Sequence, residues 1–539
     1  MRTQPLDDFL HRIKAVFPFQ KKGSGGSRAK TISPAKLEAW IGNLSPERPI
    51  VCCEKINSRL SALLAGIERS EERYRVLETI NEHLSDVFTS LESTSESKSE
   101  VSINVKKSIS IVERALEQFA KAYADIVHAE VSVPKSQRTV EVEEYVRLAA
   151  LRACQYAYRR VLLICRNYGD LTAEHWQIPV ELYFTAAKQQ FHDTALTSKN
   201  SESIARQLGR ILLLVLADPH GQTHRSFEHT RFYVERYGHL ARLCGPEHWT
   251  GENPGWFLVW PSSEGIRPLV HRGELDREAG HRLLLDTHPL LARLNAQREG
   301  LAQGVSPTRL GLPLNAREPE YVALLDRLHE RWGNPPERKQ MRRRAQPRAD
   351  VVIGFEQIRL YMAHMAQVRR QTSDETVPEF PVSQWEIFDR SHGGMGLEHL
   401  SETLVQIEIG ELLAIIPAED QKLVLGIARR TRVRNSEEIE LGVELLGFPG
   451  LVARFKPPQR NAKGQERPHV PIIFLPQVPR LKDGPGLIVP PDLVEPGTLI
   501  ALPTRQGPVQ FESAERSERF NSCELIRLRR VDSEHENAA

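Results

Sequence analysis

Across Gly333-Asn334-Pro335-Pro336 the hydrophobic period of this chain changes from that of helices to that of strands, and no other feature limits its fold as much. Before that point apolar residues step by threes and fours, the spacing that lines one face of a helix. After it they fall in short runs divided by glycines and polar turns, the pattern of antiparallel strands. Successive prolines cannot continue a helix, so the boundary is a physical stop as well as a change of pattern. The expected fold class is multidomain α+β: an N-terminal all-α region, bundle or helical-repeat-like, then an antiparallel β-barrel and a further small β module.

Leu77, Ile80, Leu84, Val87, Phe88 and Leu91 form one helical stripe. Ile109, Val112, Leu116, Phe119, Tyr123, Ile126 and Val127 form the next, beyond the polar break Glu92–Glu100. Such stripes are core rather than a cofactor box. Further helices are expected at Glu143–Asn167, Ala173–Gln190, Glu202–Leu216 and Glu228–Leu243, and again at about 284–296 and 317–332. Trp256–Trp260 and Ile266–His271, on either side of Pro-Ser-Ser-Glu-Gly, suggest a small β-hairpin.

Beyond the boundary, strand-like runs fall at Ala349–Ile353, Gln384–Phe388, Leu404–Ile409, Glu411–Ile416, Lys422–Arg429 and Ile439–Leu446. The segment Arg359–Phe380 interrupts them, beginning as a helix and continuing as a polar loop. A second β series follows at Val470–Phe474, Gly486–Val489, Leu499–Leu502, Val509–Glu512 and Glu524–Arg529. The chain has 539 residues, too many for one core. The expected division is a flexible segment 1–45, a helical domain 46–332 with its hairpin near 256–271, a barrel 338–457, a C-terminal β module 458–532 and a tail 533–539.

A formal net charge of +2 gives no global field toward nucleic acid or membrane, so any anion site must be a local cluster. The longest purely aliphatic run, Ile211–Ala217, is far short of the ~20 residues that cross a bilayer, so a soluble, cytoplasmic protein is expected. The six cysteines have no CxxC and no zinc spacing. The adjacent pair Cys52 and Cys53 admits a redox reading, with buried reduced thiols the plainer one. His220, His224 and His229 invite a metal, but no matching carboxylate or cysteine pattern accompanies them. No P-loop and no GxSxG elbow is present, and the chain lacks the GGDEF and EAL signatures of enzymes that make or degrade cyclic di-GMP.

The local cluster is Arg338, Lys339, Arg342, Arg343, Arg344 and Arg348, with no acid among them. Alone, such a run is a solvated linker or an anion-binding arm. Arg344-Ala345-Gln346-Pro347-Arg348 is an RxxxR directly before a strand. Some 40 residues later comes Asp389-Arg390-Ser391-His392-Gly393-Gly394, a DxSxxG. That motif alone is equally a turn whose Asp and Ser bond their own backbone.

With the two motifs in this order, each beside a strand, the region 338–457 resembles the PilZ family, whose receptors for cyclic di-GMP carry RxxxR on the arm entering the barrel and [D/N]xSxxG on a following strand and turn. The resemblance implies a site built from Arg343, Arg344, Arg348, Asp389, Ser391, Gly393 and Gly394. It implies cyclic di-GMP as the ligand, with no other cofactor and no metal. The chemistry suits that ligand: an arginine fork grips phosphate, reads guanine O6 and N7, or stacks on a purine. Asp389 can accept from guanine N–H groups, the Ser391 hydroxyl can reach phosphate or base, and the two glycines admit a close turn.

The expected function is therefore an effector, not an enzyme, acting in motility, adhesion or exopolysaccharide control as the family does. Its helical domain would pass the signal to a protein partner. The alternatives are a scaffold with a degenerate barrel, and a nucleic-acid binder using Arg338–Arg348.

Overall fold

The computed structural model describes residues 39–44, 48–94, 103–195, 202–251, 254–259, 266–269, 282–335, 343–344, 347–368, 380–400, 407–419, 421–434, 438–455, 469–482, 484–504 and 507–531. The chain divides into two compact units, 1–219 with 224–337, and 338–539 with 220–223. Arg338, Lys339 and Arg342, nearly all of 1–45, and the tail 533–539 lie outside the described residues.

The first unit holds α1 (Pro49–Ala65), α2 (Ser70–Thr94), α3 (Ile103–Val131), α4 (Val140–Arg166), α5 (Glu174–Lys188), α6 (Ile204–Leu216) and α7 (His224–Tyr237). Two helices start where a hydroxyl caps a free N–H: Thr139 accepts from Val142 N on α4, and Ser203 from Arg206 N on α6. Leu77, Ile80, Leu84 and Val87 of the first stripe and Val112, Leu116, Phe119, Tyr123, Ile126 and Val127 of the second meet in one continuous core. Phe119 of α3 stacks on Tyr156 of α4 with ring centres 4.7 Å apart, and the Tyr156 hydroxyl donates to Asn81 of α2 at 2.7 Å. Arg166 on α4 is only 6% exposed, and Glu228 of α7 accepts from it through both oxygens at 2.6 and 3.0 Å. Removing Glu228 would strand a buried charge, at a cost of about 3–5 kcal/mol. Among the described residues no helix is long and apolar enough to cross a membrane.

The expected hairpin proves to be part of a four-stranded sheet. Its strands are β1 (Arg242–Cys244), β2 (Trp256–Val259), β3 (Ile266–Pro268) and β4 (Leu283–Asp286), in the order β1-β4-β2-β3. The helix expected at about 284 therefore starts later, as α8 (His288–Ala302). Leu283, Leu284 and Leu285 are buried on both faces of the sheet, and so short an apolar run shows no period. The last helix of the unit, α9 (Pro319–Gly333), is pinned to α6 by Trp332, whose Nε1 donates to the Leu213 carbonyl at 3.0 Å.

The second unit begins with β5 (Arg343–Arg344), β6 (Arg348–Ile353), α10 (Phe355–Val368), β7 (Val382–Arg390), β8 (Gly394–His399), β9 (Leu412–Pro417), β10 (Val424–Arg434) and β11 (Glu438–Gly447). Six of the strands, in the order β7-β6-β9-β10-β11-β8 and back to β7, close an antiparallel barrel, and β5 adds to β7. Trp385, Ile387, Met395, Leu397, Leu413, Ile415, Leu441 and Val443 fill its interior. Leu404–Ile409 supplies no described strand: 404–406 lie outside the described residues, and Ile409 enters a turn at Gly410. At φ +89° that glycine holds a conformation few other residues adopt, and a Cβ there would meet Asn521 Oδ1 at 2.9 Å.

A second six-stranded sheet comprises β12 (Leu451–Phe455), β13 (Val470–Val478), β14 (Gly484–Val489), β15 (Leu499–Thr504), β16 (Gly507–Arg519) and β17 (Glu524–Arg530). Its order is β12-β13-β14-β17-β16-β15, nearly closed. Leu451–Phe455 thus pairs with β13 and not with the barrel, although the range expected for the barrel runs to 457.

The two sheets share a core. Val352, Leu412, Ala414, Ile416, Leu425 and Ile427 point out of the barrel and pack on α10 and on Ile473, Leu475, Ile488 and Leu525 of the second sheet. Strand β9, the end of β6 and the start of β10 are buried on both faces, which is why Leu412–Ile416 reads as a continuous apolar run. One wall of the barrel is therefore covered. The other, formed by β7, β8, the start of β11 and the end of β10, faces outward.

Candidate functional site

The outward wall receives the arm that carries the arginines. Strand β5 pairs with β7 so that Arg343 lies opposite Arg390 and Arg344 opposite Asp389. After Pro347, whose carbonyl accepts from Ile387 N at 3.0 Å, β6 continues along β7 with Arg348 opposite Glu386. RxxxR and the start of DxSxxG are thus neighbours on adjacent strands, brought together across the intervening helix α10. The side chains of Arg343 and Arg344 lie outside the described residues; that of Arg348 is exposed.

Ser391 to Gly394 form the turn between β7 and β8. Ser391 N donates to the Gly394 carbonyl at 2.8 Å, and the Ser391 hydroxyl donates to the same oxygen at 3.2 Å. The hydroxyl thus serves the turn itself. Gly393 accepts from Leu445 N at 3.0 Å, which ties the turn to β11. Neither glycine has a positive φ, so the tight-turn argument made from the sequence does not apply to them. Gly394 is instead a close-approach glycine, where a Cβ would stand 3.1 Å from the Val443 carbonyl oxygen; at Gly393 a Cβ would meet nothing within 4 Å.

The register extends this site across the wall. Asp389 lies opposite Gly396 on β8, Gly396 opposite Gly442 on β11, and Gly442 opposite Arg430 on β10. One outward row therefore reads Asp389, Gly396, Gly442, Arg430, with Arg344 of the arm at the register position beside Asp389. A bulge at Phe388 shifts the β7–β8 register, so Phe388 and Asp389 together oppose Gly396. A Cβ on Gly396 would collide with the Asp389 carboxylate and come within 2.6 Å of the Phe388 ring, so both side chains lie over bare backbone. Sequence reasoning missed strand β8 and with it Phe388, Gly396, Gly442 and Arg430. An isolated glycine inside a strand pattern, as at Gly442, is the signal that marks such a close approach.

The next row along the wall is acidic, with Glu386, Glu398 and Glu440 opposite one another on β7, β8 and β11. Partial burial, then the charges of Glu438, Glu440 and Glu386, raise the pKa of Glu398 above its ordinary value. Elsewhere, burial pushes the thiols of Cys52 and Cys53 up to about 11 and about 12, which leaves little thiolate for redox chemistry. His229 packs on the Tyr321 ring, and among the described residues no group of three or more His, Cys, Asp or Glu is placed to hold a metal.

Two family models match the chain. One, described as the N-terminal domain of the cyclic-di-GMP receptor FimW, matches residues 35–247; the other, described as the middle PilZ domain of that receptor, matches residues 362–449. The likeness thus reaches well beyond the C-terminal half, to which the motifs alone confine it. The second match takes in Asp389–Gly394 and the glycine row, and starts after the arginine arm and β6. No curated protein matches the chain.

Proposed function

We propose, from the premise that this chain belongs to the PilZ family, that it is a cyclic di-GMP receptor whose ligand settles between the arginine arm and the β7–β8 turn. The observation that carries this reading is the pairing of Arg344 with Asp389, which sets a guanidinium-bearing strand beside the carboxylate-bearing one on the outward wall. Arg343, Arg344 and Arg348 grip phosphate or guanine, Asp389 accepts from guanine N–H groups, and Ser391 turns its hydroxyl from Gly394 to the ligand. Gly393 and Gly394 let the ligand approach the backbone. The dianion holds the arm against β7, and that bound state is the one that the helical unit reports to a protein partner in the cytoplasm.

Calorimetric titration of the full chain with cyclic di-GMP, GTP and a random oligonucleotide tests the reading. Heat with cyclic di-GMP alone is expected. Arg344→Ala or Arg348→Ala should each cost about 1.5–3 kcal/mol, or roughly tenfold to 150-fold in affinity. Unchanged affinity in both variants would remove the arm from the site. Two observations favour a scaffold with a degenerate site: the Ser391 hydroxyl is already bonded, and Arg348 stands opposite Glu386. That reading predicts no heat with any of the three ligands.

A further inference from the structure

We infer that the outward wall holds a seat for one guanine base on the bare backbone of Gly442, between the Phe388 ring and the side chain of Arg430. The inference rests on the cyclic di-GMP reading above and assigns residues to that site beyond its two motifs.

Across antiparallel strands, directly opposed residues present their side chains on the same face. Asp389, Gly396, Gly442 and Arg430 therefore share the outward face of four barrel strands, and the arm runs beside β7 with Arg344 opposite Asp389 in register. From Asp389 to Arg430 is three strand spacings, about 14 Å. Phe388 and Asp389 already fill the space over Gly396. The space over Gly442 is different: a Cβ there would have its cross-strand neighbour Arg430 at 3.2 Å and no other residue within 4 Å. A bare patch one residue wide thus lies between an aromatic ring and an exposed arginine.

Those are the parts that hold a purine. The flat base lies close to the main chain where no Cβ intervenes, and the ring of Phe388 offers a stacking or edge contact. The Arg430 fork takes guanine O6 and N7. Asp389, the other residue of the bulge, stands beside the seat, where its carboxylate can accept from the N–H edge of the base. A phosphate between the base on Gly442 and the arm then sits beside Arg344, so one ligand spans from β10 to β5. Two glycines at opposed positions on adjacent exposed strands weaken a sheet, and in a barrel wall they call for a close approach of this kind.

Titration of the full chain with cyclic di-GMP tests the seat, using Arg430→Ala, Gly442→Val and Phe388→Leu beside Arg344→Ala. Arg430→Ala should weaken binding tenfold or more. It should also narrow the preference for cyclic di-GMP over cyclic di-AMP, which a merely structural arginine would not do. Gly442→Val fills the seat with a strand-compatible side chain and should reduce affinity at least as much, with little change in the thermal midpoint. Phe388→Leu keeps apolar cover over Gly396, loses the ring, and should weaken binding roughly five- to 150-fold. It also decides the matter if Gly442→Val melts early. Wild-type affinity in Arg430→Ala and Phe388→Leu, alongside weakened Arg344→Ala, would overturn the seat and leave the receptor reading standing. No heat with the wild-type chain would overturn both.

Discussion

Glu398 shows how a single residue on the outward wall is held in tension. Two carboxylates face it directly across the strands, with Glu438 nearby and Arg434 as partial compensation. Like charges opposed in a sheet destabilise it. Because the folded state raises the pKa of Glu398, the fold binds its proton more tightly than the unfolded chain does. Stability from this group is present at low pH and falls as pH rises through the raised value. Glu398→Gln should therefore melt at a higher temperature than wild type at neutral pH, with the gain gone below about pH 4, where the ordinary carboxyl is protonated too. A pair of melting curves at the two pH values checks this; equal midpoints at neutral pH would contradict it. At this scale the sequence shows types and spacing but not directions. RxxxR and DxSxxG are legible because each is contiguous. The opposition of Arg344 to Asp389, and of Gly442 to Arg430, depends on strand register, which pattern and turns set between strands and which the spacing within either motif does not show.

Elements differ in legibility for the same reason. Strands β13 to β17 were readable because turns and prolines bound each run, and the barrel strands β6, β7, β9, β10 and β11 likewise. Strand β8 was hidden because its outward positions begin with Gly394 and Gly396, so the alternation has no polar partner to display. A shared core is invisible in sequence, yet it makes the second sheet a supporting wall of the barrel. Arg429 of β10 donates to Glu444 of β11 at 2.7 Å and to Glu518 of β16 at 2.8 Å, while lying over the Phe520 ring. Arg480 donates to the same Glu518 at 2.7 Å. Ile488, fully buried in that core, should cost about 2–5 kcal/mol on truncation to Ala, and the loss should show as one cooperative transition for both sheets. A chain ending after Phe455 bares Val352, Leu412, Leu425 and Ile427, and should bind a hydrophobic dye such as ANS instead of folding compactly. A truncated barrel with a sharp, wild-type-like melt would contradict this.

For the whole molecule, the hydrophobic period changes at Gly333–Pro336, where a double proline and a loss of helical spacing act at one place, and the two compact units part at Glu337 and Arg338. Its two units have different stabilising logic: a helical core knit by aromatic stacks and buried ion pairs, and a pair of sheets sharing apolar faces. The proposed binding of cyclic di-GMP is local to the second, on the outward wall where arm and turn are neighbours. Hydrogen–deuterium exchange of the full chain, with and without saturating cyclic di-GMP, tests it most directly. Binding on the outward wall should slow exchange across 343–348 and 389–396 and leave the covered wall at Leu412–Pro417 unchanged. Slowed exchange elsewhere with these two segments unaltered would contradict it.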